Sequence, residues 1–249
     1  MYRILPADVP LRYTTAPGSA RHPVPVLLLH GFGSSHESNW VRTGWGRALE
    51  GFPTVGLDLR GHGNSGKPHT DEAYTPSVFV TDIVLLLDAL GIERVDIIGY
   101  SMGSRLAWEL ALARPDRVRR AVLGGFGPVN AFAGADLDRP GTDQSPFGQV
   151  HRAAAALPGN DPAALAACTR GQAAHPFTAV PAPAGTPLLF VAGERDGLAD
   201  GMERLAQDTG AAGALRVARR DHRTTVSAQA FKKSAVEFLA RAPAAFSAV

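Results

Sequence analysis

A serine stands between two glycines in "IIGYSMGSRLAWELA" (97–111), where an apolar run stops and a helix-like pattern begins. Ser101 at such a boundary is either the N-cap of the coming helix or a nucleophile displayed on a tight turn. The chain holds 27 glycines, so the pattern gains weight only from the strand before it and the helix after it. A serine hydroxyl attacks only when a base removes its proton, which requires a histidine beside it in space. Of the eight histidines, His222 follows the last apolar run and precedes the terminal helical stretch, where a strand-end loop can reach a site. The imidazole in turn needs a carboxylate to hold its tautomer. "LLFVAGERD" leaves an apolar segment and enters a loop at Asp196, with Glu194 and Asp200 nearby as competing acids. Asp221, next to His222 in the chain, points elsewhere if His222 faces the site.

Positioning such a set requires strands that end together. "VPVLLL" (24–29), "PTVGLDL" (53–59), "RVDIIGY" (94–100), "VRRAVLGG" (118–125), "TPLLFVAG" (186–193) and "LRVARR" (215–220) read as strands. Most are nearly continuous in apolar residues, as expected where helices cover both faces of a sheet. Residues 76–90 carry apolar side chains at helical spacing, with Pro76 at the start and Gly91 past the end. Residues 102–113 and 226–240 are further amphipathic helices, and "YRIL" with "PLRYTT" suits an antiparallel hairpin at one edge. Strands alternating with helices predict an α/β fold with a doubly wound, mostly parallel sheet. Residues 127–184 break this rhythm with two short helical candidates, 149–157 and 161–172, the second capped by Asp161. That stretch reads as a short helical lid inserted into a single domain, 1–249, whose core is 1–126 and 185–249.

Composition excludes other classes. With 45% hydrophobic and 19% charged residues the chain suits a folded globular protein. The formal charge is +2, and the basic residues, mostly Arg, are scattered rather than blocked, so no nucleic-acid partner is expected. The single cysteine, Cys168, forbids an internal disulfide and marks no metal site. The N-terminus lacks an apolar signal core and no later run approaches ~18 apolar residues. The expectation is a cytoplasmic enzyme or binding protein with no membrane partner.

The motifs resemble those of the α/β-hydrolase fold from end to end, apart from 127–184. "LLLHGFGSS" (27–35) is similar to that family's oxyanion loop, "DLRGHGNS" (58–65) to its next strand-end loop, and "GYSMG" to its nucleophile elbow. "GERD" and the late His222 match its acid and base positions, in the family order Ser, Asp, His. The resemblance implies a Ser101–His222–Asp196 triad and an oxyanion hole built from the backbone N–H groups of Phe32 and Met102. It implies His30, Gly31 and Gly33 as loop-shaping residues, and Arg60 and His62 as structural. No metal or organic cofactor is implied. Ser104 stands where the family has another small residue, "RRD" replaces the usual glycine before the histidine, and Gly33 replaces the proline of perhydrolase-like members. Carbon–carbon hydrolases of this fold carry Arg and Trp in or near the lid, but Trp40, Trp45 and Trp108 all lie outside 127–184. The Asp nucleophile of epoxide hydrolases and haloalkane dehalogenases is excluded if Ser101 is the elbow residue.

These readings converge on a serine hydrolase, a carboxylesterase, with a small-molecule ester-like substrate. Thioesterase, lactonase and carbon–carbon hydrolase share the machinery, and a non-catalytic ligand-binding protein of the same fold is the alternative of another class. The lid mixes charges of both signs and offers Phe132, Phe147 and Phe177, with Phe126 at its entrance. Neutral esters with acyl chains of roughly two to eight carbons are therefore expected. His151 and His175 are expected at the surface rather than in the pocket.

Overall fold

Successive side chains of a strand go to opposite sides of its sheet, and here both sides are covered. The structure, a computed structural model, describes residues 2–241. Its strands are β1 (Tyr2–Leu5), β2 (Leu11–Ala16), β3 (Val26–Leu29), β4 (Thr54–Leu57), β5 (Val95–Tyr100), β6 (Val118–Gly124), β7 (Leu188–Gly193) and β8 (Gly213–Val217). They form one sheet in the order β1-β2-β4-β3-β5-β6-β7-β8. β2 pairs antiparallel with β1 and β4, and the remaining pairs are parallel. The helices are α1 (Trp45–Ala48), α2 (Pro76–Ala89), α3 (Met102–Ala113), α4 (Pro146–Ala155), α5 (Pro162–Ala173), α6 (Met202–Asp208) and α7 (Gln229–Ala240).

Parity along the strands divides the core. Leu27 and Leu29 of β3, with Val95 and Ile97 of β5, join an apolar cluster that includes residues of α2, α3 and α6. Val26 and Leu28, with Ile98 and Tyr100, join a second cluster with Trp40, Trp45 and the buried face of α7. This two-sided burial is why the strands read as unbroken apolar runs. In α2, Phe79, Ile83, Leu86 and Leu87 are fully buried at helical spacing, each contributing about 1.5–3 kcal/mol. Thr75 caps that helix by accepting the Val78 N–H, and Pro76 supplies the pre-set φ of the first turn. Gly91 (φ 64°) closes it, with the Ile92 N–H donating to the Leu87 carbonyl at 2.9 Å.

The expected strands, the edge hairpin and the helices after β4 and β5 are all present, with shifts at their ends. The strand expected to run to 220 stops at Val217, because Arg219 turns the chain at φ 60°. The helix expected from 226 begins at Gln229, after a short 3-10 turn at Thr225–Ser227. Two helices, α4 and α5, fill the insertion between β6 and β7 where short helices were expected. Ala164, Ala167 and Cys168 of α5 join the first apolar cluster, so this part of the insertion packs into the main core.

Candidate active site

β5 ends at Tyr100 and α3 starts at Met102, which leaves Ser101 alone to make the turn. Its φ of 53° and ψ of −116° lie where a side chain is strained by about 1–3 kcal/mol. The turn is pinned from both sides. The Ser101 N–H donates to the Gly124 carbonyl at 2.7 Å, and the Ser101 carbonyl accepts from Ser104 and Arg105 N–H at 2.9 and 3.1 Å. A Cβ at position 103 would lie 2.0 Å from the Leu29 carbonyl oxygen, and one at 99 would lie 2.5 Å from that of Gly103. Only glycines let the strand and helix close this tightly. Ser104, the departure from the family pattern, donates its hydroxyl to the Gly124 carbonyl at 2.8 Å and ties α3 to β6. Ser101 makes no capping hydrogen bond to α3.

Its Oγ lies instead 2.9 Å from Nε2 of His222. The other ring nitrogen, Nδ1, sits 2.9 and 3.0 Å from the two Asp196 carboxylate oxygens, which fixes the proton on Nδ1 and leaves Nε2 as the acceptor. Asp196 is 1% exposed and also accepts the Leu198 N–H at 3.1 Å, so its carboxylate is held from two directions. The competing acids face elsewhere. Glu194 accepts the Arg219 N–H at 2.8 Å, and Asp221 accepts N–H groups of Arg223 and Thr224 in its own turn. Asp200 receives no hydrogen bond from His222 among the described residues. The His222 carbonyl accepts the Tyr100 hydroxyl, and Burial, with Asp196 nearby, pushes the Tyr100 phenol pKa well up so that it stays a donor.

Phe32 follows β3, and Met102 opens α3. Among the described residues neither backbone N–H donates to a protein acceptor, so both are free for a ligand beside Ser101. His30 braces the loop carrying Phe32: Nε2 accepts the Leu59 N–H at 3.0 Å and Nδ1 donates to the Gly31 carbonyl at 2.9 Å. Full burial lowers the His30 pKa, more than the nearby Asp58 raises it, and keeps it neutral for this double role. Asn39 accepts the Gly31 N–H at 3.3 Å. Asp58 joins the loops after β3 and β4, accepting from His36 N–H at 2.7 Å, Asn64 N–H at 2.9 Å and Arg12 at 3.0 Å. Arg60 is spent on a bidentate pair with buried Asp82, both contacts 2.6 Å. Burial, with neighbouring His30, pushes the His62 pKa down to about 3.

Ser101 and His222 open into a cavity of about 400 Å³. Its walls carry Phe32, Met102, Phe126, Phe132, Phe147, Leu157, Cys168 and Phe177. Arg105 reaches the wall already paired with Glu109 at 2.6 Å, its guanidinium over the Phe177 ring. The insertion that roofs the cavity is fastened unequally. α5 is tied to the segment after β4 by Arg170–Asp71 at 2.8 Å, by His69–Asp161 at 2.9 Å and by Gln172 on the Tyr74 carbonyl. The α4 side leans on the loop after β3, through Asn160 on the Gly33 carbonyl at 2.8 Å and Phe147 and His151 against Phe32. His151 is therefore buried, 4% exposed, and not at the surface as expected. Its ring fills space between α4 and Phe32, a contact across more than a hundred residues that local sequence does not announce. His175 is exposed, as expected. Sequence reasoning missed Asn39 and Asn160, which themselves stand outside any motif, the second 127 residues from its partner Gly33, and the structural use of Asp58, which stood inside "DLRGHGNS".

A sequence profile described as the alpha/beta hydrolase fold matches residues 24–164, more than half of the chain. The chain belongs to that family. Epoxide hydrolase 3 of Siraitia grosvenorii is 39% identical over 97 residues, which is 39% of this chain and 30% of that protein. 2-Hydroxymuconate semialdehyde hydrolase of Pseudomonas putida is 39% identical over 101 residues, 41% of this chain and 36% of that one. The matched part thus spans about a third of the length of these curated relatives. Among solved structures, a hydrolase from Pseudomonas aeruginosa superposes with a TM-score of 0.74 at 24% identity, covering 96% of this chain and 98% of that one. An alpha/beta hydrolase from a Medee basin deep-sea metagenome gives 0.76 at 17% identity, covering 99% and 100%. Both likenesses are of fold. Among the described residues no helix is long and apolar enough to cross a membrane.

Proposed function

We propose that this protein is a serine hydrolase of neutral carboxylic esters, with Ser101 as nucleophile, His222 as base and Asp196 as orienting acid. The observation that carries the reading is the unbroken chain Ser101 Oγ, His222 Nε2, His222 Nδ1, Asp196, with every contact 2.9–3.0 Å, opening into an apolar cavity. Ser101 Oγ attacks the ester carbonyl as its proton passes to His222 Nε2. The oxyanion gathers on the free N–H groups of Phe32 and Met102, each such donor contributing about 3 kcal/mol to the transition state. His222 returns the proton to the leaving alcohol, then activates the water that releases the acid. No metal or organic cofactor is required for these steps. The insertion between β6 and β7 acts as the lid, and its apolar wall with Arg105 already paired favours an uncharged substrate of short or medium chain length.

Epoxide opening, the activity printed in several relatives' names, fits this site poorly. Attack by a serine hydroxyl on an epoxide yields an ether, which has no carbonyl for water to attack, so the enzyme would not turn over. A second reading, carbon–carbon bond cleavage, draws on the likeness to 2-hydroxymuconate semialdehyde hydrolase and uses the same serine and histidine. It is disfavoured by the absence of tryptophan from 127–184. A fluorophosphonate probe tests the proposal: it should label Ser101, and Ser101→Ala should abolish labelling and lower ester kcat by about 10⁴ or more while leaving the fold intact. Unlabelled protein, or near-normal turnover by folded Ser101→Ala, rejects it. Labelling with turnover of dienoates but not of esters moves the assignment to the second reading.

A further inference from the structure

The hydrogen bonds of the loop that carries His222 leave one attachment unexplained by folding alone. Thr225 closes the loop on itself by donating its hydroxyl to the Asp221 carbonyl at 2.7 Å. Further along, Trp45 Nε1 donates to the Val226 carbonyl at 2.8 Å. Neither bond touches His222. Among the described residues, the one hydrogen bond to the backbone of His222 comes from the Tyr100 hydroxyl. Tyr100 is 4% exposed and adjoins Ser101 in the chain, and its ring lies 5.6 Å from the imidazole. Both rings rest on Gly125: a Cβ there, at φ 58°, would come within 3.0 Å of Tyr100 and 3.1 Å of His222. Tyr100, at the end of β5, therefore links the position beside the nucleophile to the backbone of the base.

We infer that Tyr100 is a positioning residue that sets the His222 imidazole against Ser101 through the His222 backbone carbonyl. The inference rests on the proposed hydrolase reading for its catalytic consequence, but the alignment it describes is measurable without turnover. Ring packing alone would survive loss of the hydroxyl. Alignment would not, because the His222 carbonyl would lose its one hydrogen bond among the described residues, and displacement of a reacting group by about 1 Å costs up to ~10²-fold in rate.

Tyr100→Phe removes the oxygen and nothing else. Its kcat on p-nitrophenyl acetate should fall about 10- to 100-fold with KM within about twofold of wild type, because the substrate's binding wall is unchanged. The rate of fluorophosphonate labelling should fall in parallel, and the downfield proton resonance of His222 Nδ1–H should broaden or vanish. Para-aminophenylalanine at position 100, which restores a donor, should recover both. Para-methylphenylalanine, which keeps the bulk without a donor, should behave as phenylalanine and serves as the second variant should Phe fail to fold. A folded donorless variant that keeps the His222 resonance and the labelling rate overturns the inference. A wild type inert to esters and probe, whose His222 resonance still depends on the Tyr100 hydroxyl, sinks the hydrolase reading and leaves the positioning role standing.

Discussion

Asp196 shows what single residues disclose in the sequence and what they withhold. Three carboxylates, at 194, 196 and 200, follow β7 within one loop, and spacing alone could not rank them. The entry of the chain into a loop at Asp196 pointed to the middle one, and the resemblance agreed. The structure separates them by orientation: Glu194 turns back to the Arg219 N–H, while Asp196 reaches both the imidazole and the Leu198 N–H. Asp196→Asn should accordingly lower kcat by about 10⁴, since an amide lets His222 adopt the wrong tautomer. Asp200→Asn and Asp221→Asn should each cost less than about tenfold, because neither contacts the ring. Steady-state kinetics of the three variants decides, and a larger loss at Asp200 than at Asp196 would refute the proposed orienting role. Ser101 and His222 were legible because glycine spacing and position after the last strand are local signals. The proposed oxyanion donors, Phe32 and Met102, would act through backbone N–H groups, which any residue type carries, so no residue type marks them.

At the level of elements, the strands were readable because helices cover both faces and force apolar residues at both parities. The two shortest helices were not. α1 has 4 residues and α6 has 7, fewer than the periodicity of an amphipathic stripe needs to show itself. Loop-to-loop joints are equally silent, and Asp58 is the clearest of them. Burial works against its charge, yet His30, the N–H groups of Asn64 and His36, and Arg12 outweigh that penalty and hold its carboxyl below the ordinary range. A lowered folded-state pKa gives stability that is present above the unfolded value, near ~3.9, and is lost as pH falls through the folded value. Asp58→Asn should therefore be less stable than wild type by about 1–3 kcal/mol at pH 7, and the gap should close in acid below about pH 4. Urea midpoints of both proteins from pH 7 to pH 3 measure this. A gap that stays constant across that range would remove the charge from the account and leave only geometry.

For the molecule as a whole, the cavity of about 400 Å³ sets the size of what can be processed. Activity along a series of p-nitrophenyl esters should peak at acyl chains of roughly two to eight carbons and decline beyond, as the walls under the insertion stop accommodating methylenes. A maximum at long chains with activation at a lipid–water surface would contradict this view of the lid. The unequal fastening of the insertion has a further consequence. α5 is bolted to the segment after β4, whereas the α4 side rests on Gly33 and Phe32, in the loop whose Phe32 N–H is a proposed oxyanion donor. The insertion thus touches both proposed oxyanion donors, Phe32 from the α4 side and Met102 from α5, where Cys168 Sγ lies 4.0 Å from Met102 Sδ. Repacking on either side of the insertion should therefore reach a proposed oxyanion N–H, so that specificity and speed change together.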